Sequence, residues 1–392
     1  MQISPVSQIP KRILPVIVFS QFAGTSLWFA GNAILPQLQT KLGISALMLG
    51  HITSAVQIGF ILGTLLFAIL NFADRFSPSR LFCICSGLGA AANLAIVFLP
   101  FQVTTLLLFR FITGLFLAGI YPVGMKIAAD WHQKGLGKAL GYLVGALVLG
   151  TAFPHLLKAL TPAYSWTYIL YGTSGFAVLG GCLLWLLVPD GPYRKRTQKI
   201  NFKAAFFIFK DKVFRRAAIG YFGHMWELYT FWAFVPVILT SYGSEPEGSF
   251  SSVSYLSFWV IAPGSLACVA GGYLSEWMGN KIIATGALAL SFACGLVSPW
   301  MFGLPFPLFI FFLLFWGLVV IADSPQFSTL VAQTAPKELT GTGLTLVNCL
   351  GCLISVMSLQ VINGLKNQIS EQYLYMFLAL GPALGLAALM RK

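Results

Sequence analysis

The sequence predicts an all-α membrane protein with twelve transmembrane helices. Its 392 residues are 57% hydrophobic and only 9% charged, whereas about a quarter of the residues in a soluble domain are charged. The apolar residues fall into runs of about 20, the length that crosses a bilayer as a helix. The basic residues are distributed very unequally between the two predicted sides of the membrane. Each observation places the chain in the membrane.

The apolar runs divide into two sets of six. The first run follows Lys11 and Arg12 and is too long for a cleaved signal peptide, so we interpret it as the first span. The predicted spans lie near residues 13–36, 44–72, 80–99, 103–128, 136–160, 164–188, 213–240, 251–274, 280–301, 305–331, 339–365 and 370–390.

The distribution of Lys and Arg predicts the orientation of the chain. With the N-terminus inside, 20 of the 24 basic residues face the cytoplasm, three face outside, and Arg110 lies within a span. Cytoplasmic loops are enriched in Lys and Arg, so both termini are predicted to be cytoplasmic. The net charge of +13 is therefore a signature of topology and not of a nucleic-acid site.

The longest polar stretch, "PDGPYRKRTQKINFKAAFFIFKDK", separates the two sets of spans. We predict an N-terminal six-helix bundle over 1–188, a basic cytoplasmic linker over 189–212, and a C-terminal six-helix bundle over 213–392. The basic amphipathic part of the linker is expected to lie at the inner membrane surface.

Two short segments repeat a pattern in the two halves: "LNFADRFSPSR" at 70–80 and "GYLSEWMGNK" at 272–281. Each has a carboxylate at its fifth position, at the inner end of a span, followed by a basic residue. A carboxylate is unfavourable at a helix C-terminus and favourable at a facing N-terminus, which suits a contact that forms in one conformation and breaks in another. The predicted gating residues are Asp74, Arg75, Arg80, Asp130, Glu276 and Lys281.

These segments resemble the loop motif of the major facilitator superfamily, approximately G-x-L-A-D-R-x-G-R-K. The second copy is similar through Gly272, Leu274, Glu276, Gly279 and Lys281, whereas Leu70 and Ser77 replace the usual glycines in the first. "RFITGLFLAGIYP" also resembles the superfamily's fourth helix, and "GYLVGALVLGTAFP" lacks the Gly-Pro pair typical of drug/proton antiporters. The resemblance implies two pseudo-symmetric six-helix bundles, with helices 1, 4, 7 and 10 lining a central cavity.

Three charged side chains lie well inside the predicted spans: Arg110, Glu227 and Asp323. They fall in spans four, seven and ten, which are three of the four helices that the resemblance assigns to the cavity. Charges within a membrane normally face a bundle interior or a watery cavity and mark the transport pathway. Span one adds the polar residues Gln21 and Asn32.

Chemistry suggests a role for each of these residues. A desolvated carboxyl group binds a proton more readily than one in water, so Glu227, its helix neighbour His224, and Asp323 are predicted proton-coupling residues. Pro325 is expected to bend span ten beside Asp323. The predicted substrate-binding residues are Arg110, Gln21, Asn32, Tyr221, Trp226 and Tyr229. The alternative is structural: Arg110 ties span four to a neighbour, Glu227 is permanently paired, and His224 is a core histidine.

The function predicted from these features is proton-coupled symport of a small anionic organic solute by alternating access. The alternatives are a drug or metabolite exporter working as a proton antiporter, and a solute sensor on the same scaffold. No enzyme activity, cofactor or metal is expected, because the four His are scattered and all seven Cys lie in apolar runs. The expected partners are a small solute, protons and the lipid bilayer, without nucleic acid. A monomer in a bacterial inner membrane is predicted.

Overall fold

A computed structural model of the chain describes residues 9–45, 47–100, 102–132, 135–194, 207–242 and 250–391. The middle of the predicted linker, residues 195–206, and the C-terminal Lys392 lie outside the described residues. The described residues form helices and contain no strand, in agreement with the predicted all-α class.

The helices of the first half begin after a short segment that ends at Arg12. They are α1 Ile13–Thr25, α2 Ala30–Leu42, α3 Met48–Ile69, α4 Phe72–Arg75, α5 Pro78–Phe98, α6 Val103–Leu117, α7 Tyr121–Trp131, α8 Leu136–Leu160 and α9 Thr167–Leu187.

The second half contains α10 Lys212–Ser241, α11 Phe250–Ile261, α12 Gly264–Met278, α13 Asn280–Met301, α14 Phe306–Ala322, α15 Ser324–Thr334, α16 Thr340–Leu365, α17 Glu371–Leu374 and α18 Leu380–Met390. Single 3-10 turns, Lys337–Leu339 and Tyr375–Ala379, lead into α16 and α18.

Eleven helical segments among the described residues are long and apolar enough to cross a membrane. Helix α10 is not one of them, although its 30 residues correspond to about 45 Å at 1.5 Å per residue. His224, Glu227 and several Trp and Tyr side chains make it less apolar than the others. The protein is thus a multi-pass integral membrane protein, and the count of twelve spans stays a prediction.

Several spans are broken near their middle. Asp323 separates α14 from α15, as the position of Pro325 predicts. Similar breaks separate α1 from α2, α6 from α7 and α11 from α12. Pro122 stands at the start of α7 and Pro263 directly before α12, where a proline removes a backbone donor and favours a new helix start. Each break frees backbone carbonyls that need partners inside the membrane.

Glycines allow close approach of helices within and between the halves. A Cβ atom on Gly114 of α6 would lie 1.9 Å from the carbonyl oxygen of Val56 in α3, so only glycine fits there. Helix α8 packs against α11 and α12, and α3 packs against α16. At the first of these contacts, a Cβ atom on Gly145 would lie 3.0 Å from the carbonyl oxygen of Ser265. Small residues therefore set the separation between the two halves.

Candidate functional site

Helix α10 carries the two residues that the sequence places on one face, His224 and Glu227. Both side chains are only 1% exposed, and their partners come from different helices. Glu227 accepts a hydrogen bond of 2.7 Å from Ser291 Oγ of α13 and one of 2.6 Å from Trp316 Nε1 of α14. Both donors are neutral. The carboxyl group is therefore enclosed inside the second half without a cationic partner among the described residues.

His224 contacts Asp323 and not Glu227. Its Nδ1 atom lies 2.7 Å from Oδ1 of Asp323, at ion-pair distance, and Asp323 is also 1% exposed. The ring N–H is not aligned for a regular hydrogen bond, and His224 Nε2 and Asp323 Oδ2 lack a hydrogen-bond partner within the described residues. A buried polar atom without a partner is costly, so this pair retains capacity to bind a proton, water or a polar solute group.

Arg110 lies in the first half and is fully buried. Its Nη1 donates a hydrogen bond of 3.1 Å to Asn93 Oδ1, and its Nη2 donates to the carbonyl oxygens of Leu27, at 3.0 Å, and Trp28. These two carbonyls are at the break between α1 and α2. Arg110 and Glu227 thus have separate sets of partners. Within the described residues Arg110 has no carboxylate partner, which leaves its positive charge uncompensated.

Aromatic side chains join the two halves beside Arg110. The ring of Trp28 stacks on Tyr229 of α10 with a centroid distance of 5.4 Å, and Phe29 meets Trp232 edge-on at 6.2 Å. Trp28 is therefore linked to Arg110 through its carbonyl and to α10 through its ring.

The remaining predicted substrate-binding residues have varied surroundings. Tyr221 donates a hydrogen bond of 3.1 Å to Asn348 of α16, whereas Trp226 points towards Phe377 and donates to its carbonyl at 3.1 Å. Asn32 donates to Thr53 Oγ1 at 2.7 Å. Gln21 is fully buried, and neither its amide oxygen nor its nitrogen has a partner within the described residues. Of this set, Gln21 has the most unused hydrogen-bonding capacity.

The three carboxylates among the predicted gating residues each contact a lysine, Lys126 or Lys138. Asp74 and Asp130 both contact Lys126 Nζ of α7, at 3.2 and 3.7 Å, within the first half. Glu276 pairs across the halves with Lys138 of α8 at 3.0 Å. Arg75, Arg80 and Lys281 enter no ion pair with a described residue. The basic partners of the two loop carboxylates therefore come from neighbouring spans.

Sequence reasoning missed several residues that complete the site: Ser291, Trp316, Asn93, Lys126 and Lys138. Ser, Trp and Asn are common in membrane helices, and they become informative only when a buried charge lies opposite. Within the described residues no cluster of three or more His, Cys, Asp or Glu side chains is arranged to hold a metal ion.

Long apolar helices that enclose charged side chains define a multi-pass membrane protein. The family model of the Major Facilitator Superfamily matches residues 17–359, and the chain belongs to this superfamily.

Two individual proteins are similar to this chain. The structure of the human organic anion transporter MFSD10 matches with a TM-score of 0.74 over 98% of this chain and 100% of that chain, at 16% sequence identity. This match shows the shared fold. The niacin transporter NiaP of Acinetobacter baylyi is 37% identical over an aligned length of 112 residues. The alignment covers 26% of this chain and 25% of that protein. The chain thus matches about a quarter of that relative's length.

Proposed function

We propose that this protein is a secondary active transporter that moves a small organic anion together with protons by alternating access. The observation that carries the proposal is the environment of Glu227, a buried carboxyl group whose partners within the described residues are the neutral donors Ser291 and Trp316. A carboxylate kept away from water and from cations takes up a proton readily. Such a group changes charge during a transport cycle, which a permanently paired carboxylate does not.

The hydrogen bonds of Glu227 are compatible with both protonation states. Trp316 Nε1 is a donor only, so Oε1 remains an acceptor, and the proton belongs on Oε2. Ser291 faces Oε2 and can rotate its hydroxyl group from donor to acceptor. The proton is thus gained and lost without movement of the α10 backbone. The neighbouring His224–Asp323 pair provides a second place for the same proton.

The anionic character of the solute is supported by the charge of Arg110. This guanidinium has no carboxylate partner among the described residues, and it binds the carbonyl of Trp28, whose ring stacks on Tyr229. An anion with an apolar or aromatic body would complement this positive charge and the adjacent rings. The two similar proteins are a niacin transporter and an organic anion transporter, which agrees with this class of solute.

The proposal includes the arrangement predicted from sequence. Two bundles, over 1–188 and 213–392, enclose a central site that opens to each side of the membrane in turn. The cytoplasmic linker 189–212 joins them. The protein acts as a monomer in a bacterial inner membrane. Asp74, Arg75, Arg80, Asp130, Glu276 and Lys281 govern the inner gate. Reporter fusions at Lys392 and within the linker should both give a cytoplasmic signal, and an external signal at either would contradict this topology.

The coupling role is tested with Glu227→Gln in proteoliposomes that carry an imposed pH gradient. Nicotinate and benzoate serve as probes, after a thermal-shift screen of organic anions at two pH values. The variant should no longer concentrate the solute, because glutamine imitates the protonated acid, but it should retain counterflow exchange with little pH dependence. The matched control is Glu371→Gln, which removes an exposed carboxylate that contacts Lys366 at 4.0 Å. Concentrative uptake by Glu227→Gln with the wild-type pH profile would contradict the proposal.

A further inference from the structure

A cavity lies between the start of α10 and the end of α18, at the predicted cytoplasmic end of the helices. Its volume is about 230 Å³, and four of its lining residues are basic: Lys212, Arg215, Arg216 and Arg391. Ile219 and Ala388 complete the lining. The cavity shares no residue with the site around Glu227 and Asp323.

The positive charge of Lys212, Arg215 and Arg391 is poorly compensated among the described residues. Within the described residues no carboxylate lies at ion-pair distance from Lys212, Arg215 or Arg391. The neighbouring carboxylate, Asp211, caps α10 and uses Oδ1 to accept the backbone N–H groups of Val213 and Phe214, each at 2.8 Å. Arg215 donates one long bond, of 3.3 Å, to the carbonyl of Phe209. Like charges held around one cavity repel each other, and an anion placed between them would relieve that repulsion.

The lining changes from basic to apolar along the helices. Lys212 and Arg391 lie at the helix ends, whereas Ile219 is two turns further along α10 and Ala388 is almost one turn before Arg391. One turn deeper on α18, on the face of Ala388, Leu384 is 68% exposed. The occupant that fits has an anionic group at the surface and an apolar chain directed along the helices.

We propose that this cavity binds the phosphate group of an anionic phospholipid at the membrane surface. Its volume of about 230 Å³ is below the range of about 300–1,000 Å³ in which whole small organic molecules bind, and it suits a headgroup whose acyl chains remain in the bilayer. Basic pockets between transmembrane helices bind lipid headgroups through the same charge complementarity. The site is independent of the proposed transport reaction.

Thermal unfolding of the full-length protein in a neutral detergent tests the site. Four probes are titrated: dioctanoyl phosphatidylglycerol, dioctanoyl phosphatidylcholine, glycerol 3-phosphate and inorganic phosphate. The test variant is Lys212→Gln/Arg215→Gln/Arg391→Gln. The control, Lys11→Gln/Arg12→Gln/Lys337→Gln, removes the same number of exposed charges from the same predicted side, outside the cavity.

Phosphatidylglycerol should raise the Tm of the wild type and of the control at lower concentration than phosphatidylcholine does. Its apparent Kd should be weakened by at least about tenfold in the test variant, since each basic side chain contributes about a factor of five near an anionic surface. Equal stabilisation of test variant and control, or of the wild type by both lipids, would overturn the proposal. Saturable stabilisation by inorganic phosphate or glycerol 3-phosphate at the concentration of the lipid would assign the cavity to a soluble anion instead.

The single variant Arg391→Gln guards against a folding defect in the triple variant. Arg391 follows the last residue of α18 and is exposed, so its replacement should leave the Tm without lipid unchanged. The apparent Kd for phosphatidylglycerol should rise about fivefold. An unchanged Kd in this variant would also contradict the proposal.

Discussion

The Nδ1 atom of His224 lies 2.7 Å from Oδ1 of Asp323, and this contact joins α10 to the break between α14 and α15. The ring of His224 also lies 6.1 Å from that of Phe327, one turn into α15. In the proposed proton-coupled cycle, a change in the protonation of the pair would act on the point where span ten is interrupted. The contact would then connect proton binding to a helix movement.

The first prediction concerns the energy of this pair. Asp323→Asn and His224→Gln should each lower stability, because either change leaves one buried polar partner without its counterpart. The double variant should recover part of the loss, with a coupling energy of about 1–3 kcal/mol. Thermal unfolding of the four proteins in detergent at one pH provides the double-mutant cycle. Additive losses would show that the two side chains do not interact.

The second prediction concerns the two donors to Glu227. Ser291→Ala or Trp316→Phe removes one hydrogen bond to the ionised carboxylate, so the protonated acid persists over a wider pH range. The alkaline limb of the uptake profile should then move to higher pH by about one unit, since a hydrogen bond to a charged group contributes about 1.5–3 kcal/mol. Proteoliposome uptake measured from pH 5 to 9 gives the profile.

Matched controls for this experiment lie nearby. Ser298→Ala removes a hydroxyl group whose partner among the described residues is Gly295 O of its own helix, α13. Trp259→Phe alters a ring that is 45% exposed. Both should retain the wild-type profile. If the alkaline limb shifted equally in the controls, the effect would come from general packing and not from the hydrogen bonds of Glu227.

The positions of three buried charges could be predicted from sequence, whereas their partners could not. Glu227, Asp323 and Arg110 stand out because a charge interrupts an apolar run. Ser291 and Trp316 lie 64 and 89 residues from Glu227 along the chain, and only helix packing brings them together. The spacing of His224 and Glu227 on one helix suggested that they share a proton. In the structure His224 contacts Asp323, whereas Glu227 is hydrogen-bonded by Ser291 and Trp316.

The helix breaks, too, could be predicted from sequence only in part. Pro325 beside Asp323 predicted one break correctly, and Pro122 and Pro263 carry the same signal for two others. The break between α1 and α2 is different, because its turn, from Ser26 to Phe29, contains no proline or glycine. Its freed carbonyls are bound by Arg110, which lies in a span that begins some 75 residues later.

The third prediction follows for Arg110. Arg110→Lys keeps the charge but loses the planar fork that bonds Asn93, Leu27 and Trp28. We expect a loss of about 2 kcal/mol in stability, from three bonds at about 0.6 kcal/mol each within a membrane. Unfolding in detergent, with and without a solute that binds the wild type, measures the effect. Wild-type stability of the variant would contradict a structural role of these three bonds. Loss of solute binding beyond the loss of stability would support the proposed role of Arg110 in recognising the anion.

The fourth prediction concerns the ion pair between the halves, Lys138–Glu276. The pair is partly exposed and is expected to contribute about 0.2–1 kcal/mol, enough to alter the population of one conformation up to about fivefold. Glu276→Lys should change the distribution of distances between spin labels at the inner ends of α8 and α12 and lower the transport rate. Lys138→Glu/Glu276→Lys should restore both, while the solute Kd stays constant throughout. Failure of the double variant to restore the distances would exclude a gating role for the pair.

The hydrogen-bond network of Arg110 has a mechanical consequence. Asn93 receives Arg110 on its oxygen and donates through its nitrogen to Ser174 at 3.0 Å and Thr173 at 3.2 Å, so α1, α5, α6 and α9 are fastened at one level. The residues to which we assign proton coupling, Glu227, His224 and Asp323, all lie in the second half. In the proposed cycle the first half would therefore act as a stator, and the energy of a proton gradient would be delivered to a single moving arm.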